Sequence, residues 1–438
     1  MRFSDAPPTA SDRQKRSSPV PLRLPPSMIS RPRFRISPHS FYFILFCGAL
    51  AALASLSIDV GLPAFGAVAR DMNTDAARVA LSLSIFFVGF AAAPLVYGPL
   101  SDRWGRRPVL LFGLVIYTLG GVGCTFSNTI DTFLAWRLLQ GAGAGAGAVL
   151  SMSLVRDHFE GVKVRTLLSN IAIIRVIAPM VAPSVGAFLL EVANWRAIYA
   201  MMMVGGVVVL GIVWLGLEES APRLRAGADQ RAPSVSVGGA YVALLRKPVC
   251  IAYMLICGLG FGSHFAYVTG SSLVLMEALG VPPQAFGLLF GAAAAGIMLA
   301  SYLSGRLAGY VPGDRLIQIG LSIALVSAVI MLLLTVTHLV RAWNLAPLFM
   351  LNAFCYGLIT PSTQQGALQP LGNIAGSAAA VMNALMMGIG AFSSWLVSDL
   401  FGRIGVLAVT GTMAIFCALA LLVYVLMVKL RTPGTAAI

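Results

Sequence analysis

The stretch GPLSDRWGRRP at residues 98–108 lies between two apolar runs, LSLSIFFVGFAAAPLVY at 81–97 and VLLFGLVIYTLGGVGC at 109–124. Each run approaches the roughly 20 residues that an α-helix needs to cross a bilayer. Gly98 and Gly105 permit a tight turn between them. The charges of this turn are concentrated in four residues: Asp102, Arg103, Arg106 and Arg107. We therefore expect two membrane-spanning helices joined by a short charged loop at the membrane surface.

The composition of the whole chain agrees with a membrane protein. Of its 438 residues, 58% are hydrophobic and only 11% are charged, whereas soluble domains carry about 25% charged residues. The net charge of +14 comes from basic residues in the gaps between apolar runs. This placement indicates a membrane topology signal and not a nucleic-acid partner. Six cysteines without a CxxC motif predict buried free thiols, and four scattered histidines predict no metal site.

Apolar runs of about 20 residues recur twelve times, and one long polar gap divides them six and six. We therefore predict an all-α membrane protein with twelve transmembrane helices in two pseudo-symmetric six-helix bundles. LSDRWG at 100–105 has a weaker echo in LSGRLAG at 303–309, and internal repeats of this kind are typical of secondary transporters. The predicted domains are a disordered basic tail at 1–39, a first bundle at 40–217, a linker at 218–248, a second bundle at 249–430 and a tail at 431–438.

The distribution of Lys and Arg predicts the orientation. One side of the predicted topology carries 23 of these residues and the other side carries 5. Because cytoplasmic loops are enriched in Lys and Arg, both termini are expected in the cytoplasm. Two interpretations of the loop that contains Asp102 stay open. The Asp–Arg cluster can act as a latch between helices that holds in one conformation, or the arginines only fix the topology.

Several motifs resemble a known family. The stretch at 98–108 resembles the loop 2–3 signature of the major facilitator superfamily. SIDVGLPAF at 57–65, WRLLQGAGAGAG at 136–147, APMVAPSVGAF at 178–188 and NWRAIY at 194–199 resemble motifs of one branch, the Bcr/CflA drug:proton antiporters. They correspond to its first-span pattern, its fourth-span arginine motif, its fifth-span antiporter motif and its turn into the sixth span. The resemblance implies the major facilitator fold and transport driven by a proton gradient.

Asp59 and Arg137 are the candidate proton-coupling residues. An ionised carboxylate within apolar sequence is costly, and burial favours the neutral carboxyl group, so Asp59 can gain and lose a proton. The family pattern also places Asp here, and the resemblance implies that Arg137 tunes this carboxylate. The alternatives are that Asp59 is solvated near the outer surface and that Arg137 snorkels to the interface.

Four residues are candidates for cargo binding. Arg175 falls well inside the fifth span, where it either meets polar or anionic cargo or snorkels towards the cytoplasm. His264 and Tyr267 in span 7 and Asn352 in span 10 are expected either to line a cargo pocket or to serve as packing residues.

Other features of the sequence concern helix shape. Pro179, Pro183 and Gly186 weaken the fifth span and predict a helix bend. The run GAGAGAGA at 141–148 predicts close helix packing, because small residues let helix backbones approach.

The favoured function is proton-coupled export of drugs or amphipathic small molecules across the bacterial inner membrane by alternating access. The expected partners are cargo, protons and the bilayer, with the protein acting as a monomer and with no cofactor beyond the proton gradient. The alternative is a proton-linked carrier of a polar metabolite such as a sugar, an amino acid derivative or an organic acid, although the fifth-span motif argues against import. An enzyme is not expected, because the sequence lacks an apparent His/Asp, Ser/His or metal-ligand cluster.

Overall fold

The computed structural model describes residues 40–159, 162–220 and 247–429. The predicted tails at 1–39 and 431–438 and most of the predicted linker lie outside the described residues. Within the described ranges the chain is helical with short turns and contains no strand. The α-helices are α1 (Phe41–Asp59), α2 (Phe65–Asp71), α3 (Ala76–Trp104), α4 (Arg106–Phe126), α5 (Ile130–His158), α6 (Val162–Val192), α7 (Trp195–Gly216), α8 (Pro248–Ser272), α9 (Pro283–Leu307), α10 (Gly313–Val336), α11 (Ala342–Leu368), α12 (Ala375–Ile404) and α13 (Val406–Val423).

Twelve segments of the described chain are long and apolar enough to cross a membrane. The first combines α1 and α2, and each helix from α3 to α13 supplies one more. This confirms the predicted all-α fold class. Successive spans alternate in direction, so their ends form two faces. We call the face that carries Gly105 and His158 the basic face, and the face that carries Asp71 and Phe126 the opposite face.

Glycines allow α5 to pack closely between α3 and α4 in the first six spans. A Cβ atom on Gly141 would overlap the backbone carbonyl of Phe86 in α3, and one on Gly143 would overlap the backbone of Tyr117 in α4. Side chains are therefore excluded at these positions, and the backbones of the three helices approach directly. The close packing expected of the small-residue run is present in the structure.

The two halves of the molecule meet along α3 with α12 and along α6 with α9. Near the opposite face, a Cβ on Gly287 of α9 would lie 2.9 Å from the Cα of Ser184 in α6. Closer to that face, Gln284 Nε2 donates a hydrogen bond of 2.9 Å to Glu191 Oε2. These contacts bring α6 and α9 together at the end of the bundle that belongs to the opposite face.

The first span is interrupted beside Asp59. Asp59 is the last residue of α1, and a 3₁₀ turn at Leu62–Ala64 precedes α2. Pro63 has no N–H group with which to continue the α-helical hydrogen bonding to the carbonyl of Asp59. The break therefore leaves the end of a helix within the membrane-spanning part of the molecule.

The fifth span, α6, runs as one helix through Pro179 and Pro183. A Cβ on Gly186 would overlap the carbonyl oxygen of Val60, so glycine is needed where α6 crosses the break after α1. The bend expected at Pro179, Pro183 and Gly186 stays a prediction, whereas the close contact at Gly186 is a feature that the sequence did not reveal.

The thiols of the chain are free and buried, as the sequence predicted. They belong to Cys47, Cys124, Cys250, Cys257, Cys355 and Cys417.

Candidate functional site

A cavity of about 230 Å³ lies between the two halves. Helices α1, α3, α5 and α6 line it from the first half, and α8, α9, α11 and α12 line it from the second. Aromatic rings dominate its wall: Phe87, Phe90, Phe261, His264, Phe265, Tyr267, Phe290 and Tyr356. Two residues with ionisable, normally charged groups also line it, Asp59 and Arg175. The cavity therefore suits a molecule that combines an aromatic body with polar or charged groups.

Asp59 lies in the cavity wall at the end of α1 and is only 5% exposed. Within the described residues its carboxyl group has no hydrogen bond and no ion pair, and Tyr267 from the second half interacts with it electrostatically. This burial does not agree with the alternative that Asp59 is solvated at the surface. A proton can bind here without displacing a partner from the carboxyl group.

Arg137 is buried in the first half, with 1% of its surface exposed. Nη1 donates to Gln140 Oε1 over 2.8 Å, and Nη2 donates to the carbonyl oxygen of Ser57 over 3.1 Å. The guanidinium lies 4.6 Å from the ring centroid of Phe86 and 5.8 Å from that of Tyr199, within the range of cation–π interactions. Arg137 therefore does not snorkel, and it forms no ion pair within the described part of the chain.

The structure connects Arg137 to Asp59 through the backbone of α1. Ser57, which accepts from Arg137, lies two residues before Asp59, where the carbonyl groups at the end of α1 carry partial negative charge. The Ser57 hydroxyl also forms a hydrogen bond of 2.8 Å with Tyr117. Arg137 thus holds the end of the helix that carries Asp59 and does not contact its carboxylate.

Arg175 of α6 lines the cavity and is exposed. The alternative that it extends towards the cytoplasm stays open. Arg175 forms no hydrogen bond and no ion pair among the described residues, and it interacts electrostatically with Tyr356. The ring of Tyr356 is stacked on His264, with centroids 4.7 Å apart and planes 2° apart. His264 Nδ1 is buried without a hydrogen-bond partner, and Tyr267 stacks on Phe290 at 5.5 Å. Three of the four candidate cargo residues therefore share one cavity.

Asn352, the fourth candidate, lies outside the cavity. Its Nδ2 donates to the carbonyl oxygen of Ala324 over 3.2 Å, and its Oδ1 accepts from Ser263 Oγ over 3.4 Å. Asn352 therefore joins α11 to α10 and α8 as a packing residue. Tyr356, one turn later on α11, reaches the cavity instead. Sequence reasoning missed it because both polar residues lie in one apolar helix, and only the packing shows which side chain lines the cavity.

Residues 98–108 do not form the predicted loop, because α3 continues through Gly98 to Trp104 and α4 begins at Arg106, so only Gly105 separates the two helices. The stretch forms an ion-pair network. Arg106 Nε lies 2.9 Å from Asp157 Oδ2, and its Nη1 pairs with Asp102. The Glu219 carboxylate accepts from the backbone N–H of Arg106 at 2.8 Å and of Arg107 at 3.2 Å. Glu219, which follows α7, therefore caps the N-terminus of α4. These contacts join helices of the first half to one another and to Glu219 at the start of the predicted linker, and the opening of the predicted latch stays a prediction.

The remaining latch candidates differ in their constraints. Gly105 has a φ of +102°, and a Cβ there would overlap the Glu219 carboxylate, so glycine is required. A Cβ on Gly98 would meet no atom within 4 Å, and Arg103 is exposed. The Gly98 carbonyl accepts a hydrogen bond of 2.9 Å from Ser101 Oγ, which itself accepts from Arg106. Arg103 forms no side-chain hydrogen bond or ion pair among the described residues.

The family is decided by a comparison with family models, in which the Major Facilitator Superfamily matches residues 44–394. The chain belongs to the major facilitator superfamily. It is 34% identical over 352 residues to the uncharacterized MFS-type transporter YdgK of Bacillus subtilis, covering 80% of this chain and 87% of that protein. It is 28% identical over 366 residues to a bicyclomycin resistance protein homolog of Haemophilus influenzae, covering 82% and 90%.

Multidrug resistance protein D of Escherichia coli is 26% identical over 357 residues, covering 80% of this chain and 87% of that protein. Among solved structures, a D-xylose–proton symporter matches with a TM-score of 0.69 at 15% identity, covering 89% of this chain and 98% of that one. A bacterial homolog of the lysosomal transporter Spinster, solved in an inward-facing conformation, matches with a TM-score of 0.69 at 15% identity, covering 90% and 98%. The structural likeness shows the fold alone. The family and the relatives identify a multi-pass membrane transporter and confirm the resemblance to the Bcr/CflA branch.

Proposed function

We propose that this transporter exports drugs or other amphipathic small molecules across the bacterial inner membrane in exchange for protons. The names of two relatives, a bicyclomycin resistance protein homolog and multidrug resistance protein D, support drugs as the cargo. The energy comes from the proton gradient and requires no cofactor. We further propose that the protein acts as a monomer, because both six-span halves of one chain contribute to the cavity.

One observation carries the proposal. Asp59 presents a buried carboxyl group, without a partner among the described residues, to a largely aromatic cavity between the two halves. A carboxyl group in such surroundings is neutral with a proton bound and costly when ionised and unpaired. Proton binding therefore stabilises one form of the cavity, and cargo that compensates the ionised carboxylate stabilises the other. A single group that serves both ligands in turn couples their movements.

The described contacts between the halves support alternating access. The halves are joined near the opposite face by the approach of Gly287 to Ser184 and by the hydrogen bond from Gln284 to Glu191. With the basic face and both termini in the cytoplasm, as the charge distribution favours, this closure is on the outside. The arrangement then corresponds to an inward-facing state that receives cargo from the cytoplasm.

In this mechanism Arg137 is a positioning residue. Its hydrogen bond to the Ser57 carbonyl fixes the end of α1, and with it the direction of the Asp59 side chain. Bending of α6 near Pro179 and Pro183, and rearrangement of the Asp102–Arg106–Asp157 network, would accompany the rocking of the halves.

Inverted membrane vesicles with an imposed proton gradient test the proposal. Chloramphenicol and lipophilic cations are added in turn, and dissipation of the gradient is recorded for the wild type and for Asp59→Asn. We expect cargo-induced dissipation in the wild type and only the background of protein-free vesicles in the variant. Asp131→Asn is the matched control, because it removes a carboxylate that is 77% exposed on the opposite face.

Two results would contradict the proposal. If Asp59→Asn responds like the wild type, Asp59 does not couple the proton. If drugs are inactive but a sugar or an organic acid dissipates the gradient, the protein is a carrier of polar metabolites.

A further inference from the structure

Asp59 and Arg175 line the same cavity but do not form an ion pair with each other. Acidic and basic side chains within a membrane are costly and are usually paired. In this cavity the carboxyl group of Asp59 and the guanidinium of Arg175 instead lie apart, each without a hydrogen-bond partner among the described residues. A ligand could satisfy both of them.

The packing of α1 against α6 explains why the two groups stay apart. Both helices run from the basic face to the opposite face. Gly48 of α1 is level with Ile174 of α6, and Val60 is level with Gly186. Arg175 is thus level with residue 49, ten residues before Asp59. At 1.5 Å per residue, this places the two Cα atoms about 15 Å apart along the helix axes.

The wall between the two charged ends is aromatic. Tyr267 and Phe290 stack near Asp59, and the stacked rings of His264 and Tyr356 lie near Arg175. Aromatic side chains favour contact with the faces and edges of other rings. The cavity thus has an acidic end, an aromatic middle and a cationic end.

We propose that the cavity binds zwitterionic aromatic molecules, with an ammonium group at Asp59, an acidic group at Arg175 and the rings along the aromatic wall. This inference rests on the proposed proton exchange. The ammonium group needs the ionised carboxylate, so cargo and proton compete for Asp59. The guanidinium of Arg175 stays charged throughout, and it orients the cargo by holding the acidic group.

Ligands with only one charge satisfy this site less well. A purely anionic molecule pairs with Arg175 but does not compete with the proton at Asp59. A purely cationic molecule competes with the proton but leaves Arg175 unpaired. The zwitterion is the charge type that matches both ends.

The test uses four forms of one rigid probe, 4′-(aminomethyl)biphenyl-4-carboxylate. The parent is a zwitterion, its methyl ester is a cation, its N-acetyl derivative is an anion, and the N-acetyl methyl ester is neutral. Binding of each form to the purified full chain is measured by calorimetry in detergent, without a proton gradient. The proteins are the wild type, Asp59→Asn, Arg175→Gln and Arg175→Lys, with Arg403→Gln as a control that removes an arginine whose side chain is 72% exposed on the opposite face.

We expect the wild type to bind the zwitterion about tenfold or more tightly than either singly charged form. Arg175→Gln should weaken binding of the zwitterion and the anion but not of the cation. Asp59→Asn should weaken binding of the zwitterion and the cation but not of the anion. Arg175→Lys should retain part of the preference for the acidic group, and Arg403→Gln should resemble the wild type. Each variant thus retains one ligand whose unchanged binding shows that it is folded.

The proposal is overturned if the neutral form binds the wild type as tightly as the zwitterion. It is also overturned if Arg175→Gln weakens the cation and the zwitterion equally. Binding without a gradient separates this result from the vesicle assay. A zwitterion preference with no proton exchange contradicts the proposed function alone, and proton exchange with no charge preference contradicts this inference alone.

Discussion

The two arginines that lie inside the membrane-spanning helices of the first half have opposite surroundings. Arg137 is enclosed by two hydrogen bonds and two aromatic rings, whereas Arg175 lines the cavity with no hydrogen bond among the described residues. Both are costly to place in a bilayer. The difference indicates that the protein itself compensates most of the Arg137 guanidinium, of which only Nε is buried without a hydrogen-bond partner. Arg175 is exposed in the cavity wall, where we propose that a ligand compensates it.

The same contrast holds for the groups around each arginine. The polar groups near Arg137, including Ser57, Tyr117 and Gln140, are hydrogen-bonded to one another or to the backbone. In the cavity, the Asp59 carboxyl group has no hydrogen bond within the described ranges, and His264 Nδ1 is buried there without a partner. The polar cluster of the first half therefore serves stability, and the cavity retains unsatisfied groups for binding. Three pairs of substitutions test this distinction.

The largest expected effect comes from replacing the two arginines. Arg137→Gln should lower the free energy of unfolding by about 3 kcal/mol, because it removes charge-assisted hydrogen bonds and cation–π contacts in a buried site. Arg175→Gln should leave stability unchanged or raise it, because it removes an unpaired cation from the cavity. Denaturant unfolding in mixed micelles measures both values. Equal destabilisation by the two substitutions would contradict the comparison.

The next effect concerns the packing that holds Phe86 beneath Arg137. Gly141→Ala should destabilise by about 1–3 kcal/mol, because the new Cβ overlaps the Phe86 carbonyl and overpacks the contact between α5 and α3. Gly296→Ala, beside the cavity residue Ile297, meets no atom within 4 Å. It should stabilise by up to about 1 kcal/mol through helix propensity. The same unfolding assay measures the change in the free energy of unfolding for each variant. If that free energy changes in the same direction in both variants, the result would argue against the close contact at Gly141.

The smallest effect distinguishes two tyrosines. Tyr117→Phe should cost about 1 kcal/mol, because it removes the hydrogen bond to Ser57. Tyr267→Phe in the cavity should change stability by less than about 0.5 kcal/mol, because its hydroxyl has no hydrogen bond among the described residues. If Tyr267→Phe proves the more costly of the two in thermal unfolding, the cavity contributes more to stability than we infer.

Much of the fold could be predicted from the sequence, because each span is set by local length and hydropathy. Asp59 and Arg175 could be found for the same reason, since a charged residue within an apolar run is visible without a structure. Side chains that depend on helix packing could not be assigned in this way. Asn352 and Tyr356 lie on one apolar helix, and its sequence does not separate the cavity side from the packed side.

Contacts between distant segments were also hidden. Glu219 caps α4 from a position more than 110 residues along the chain. No local pattern in GPLSDRWGRRP indicates that the carboxylate of a residue after the sixth span binds to this stretch. The break after Asp59 could be predicted only in part. Pro63 indicates that the α-helical hydrogen bonding is interrupted, but nothing in the sequence indicates that α6 packs against the gap.

The six buried cysteines have a practical consequence for deciding the orientation in the membrane. Because each thiol is at most 4% exposed, the natural chain offers an almost silent background for labelling with membrane-impermeant maleimides. A cysteine introduced at Gly309, exposed on the basic face, or at Gly402, exposed on the opposite face, then provides a single reporter. In intact cells, labelling of Gly402→Cys but not of Gly309→Cys would place the basic face in the cytoplasm, and the reverse pattern would invert the direction of transport inferred from the closed face.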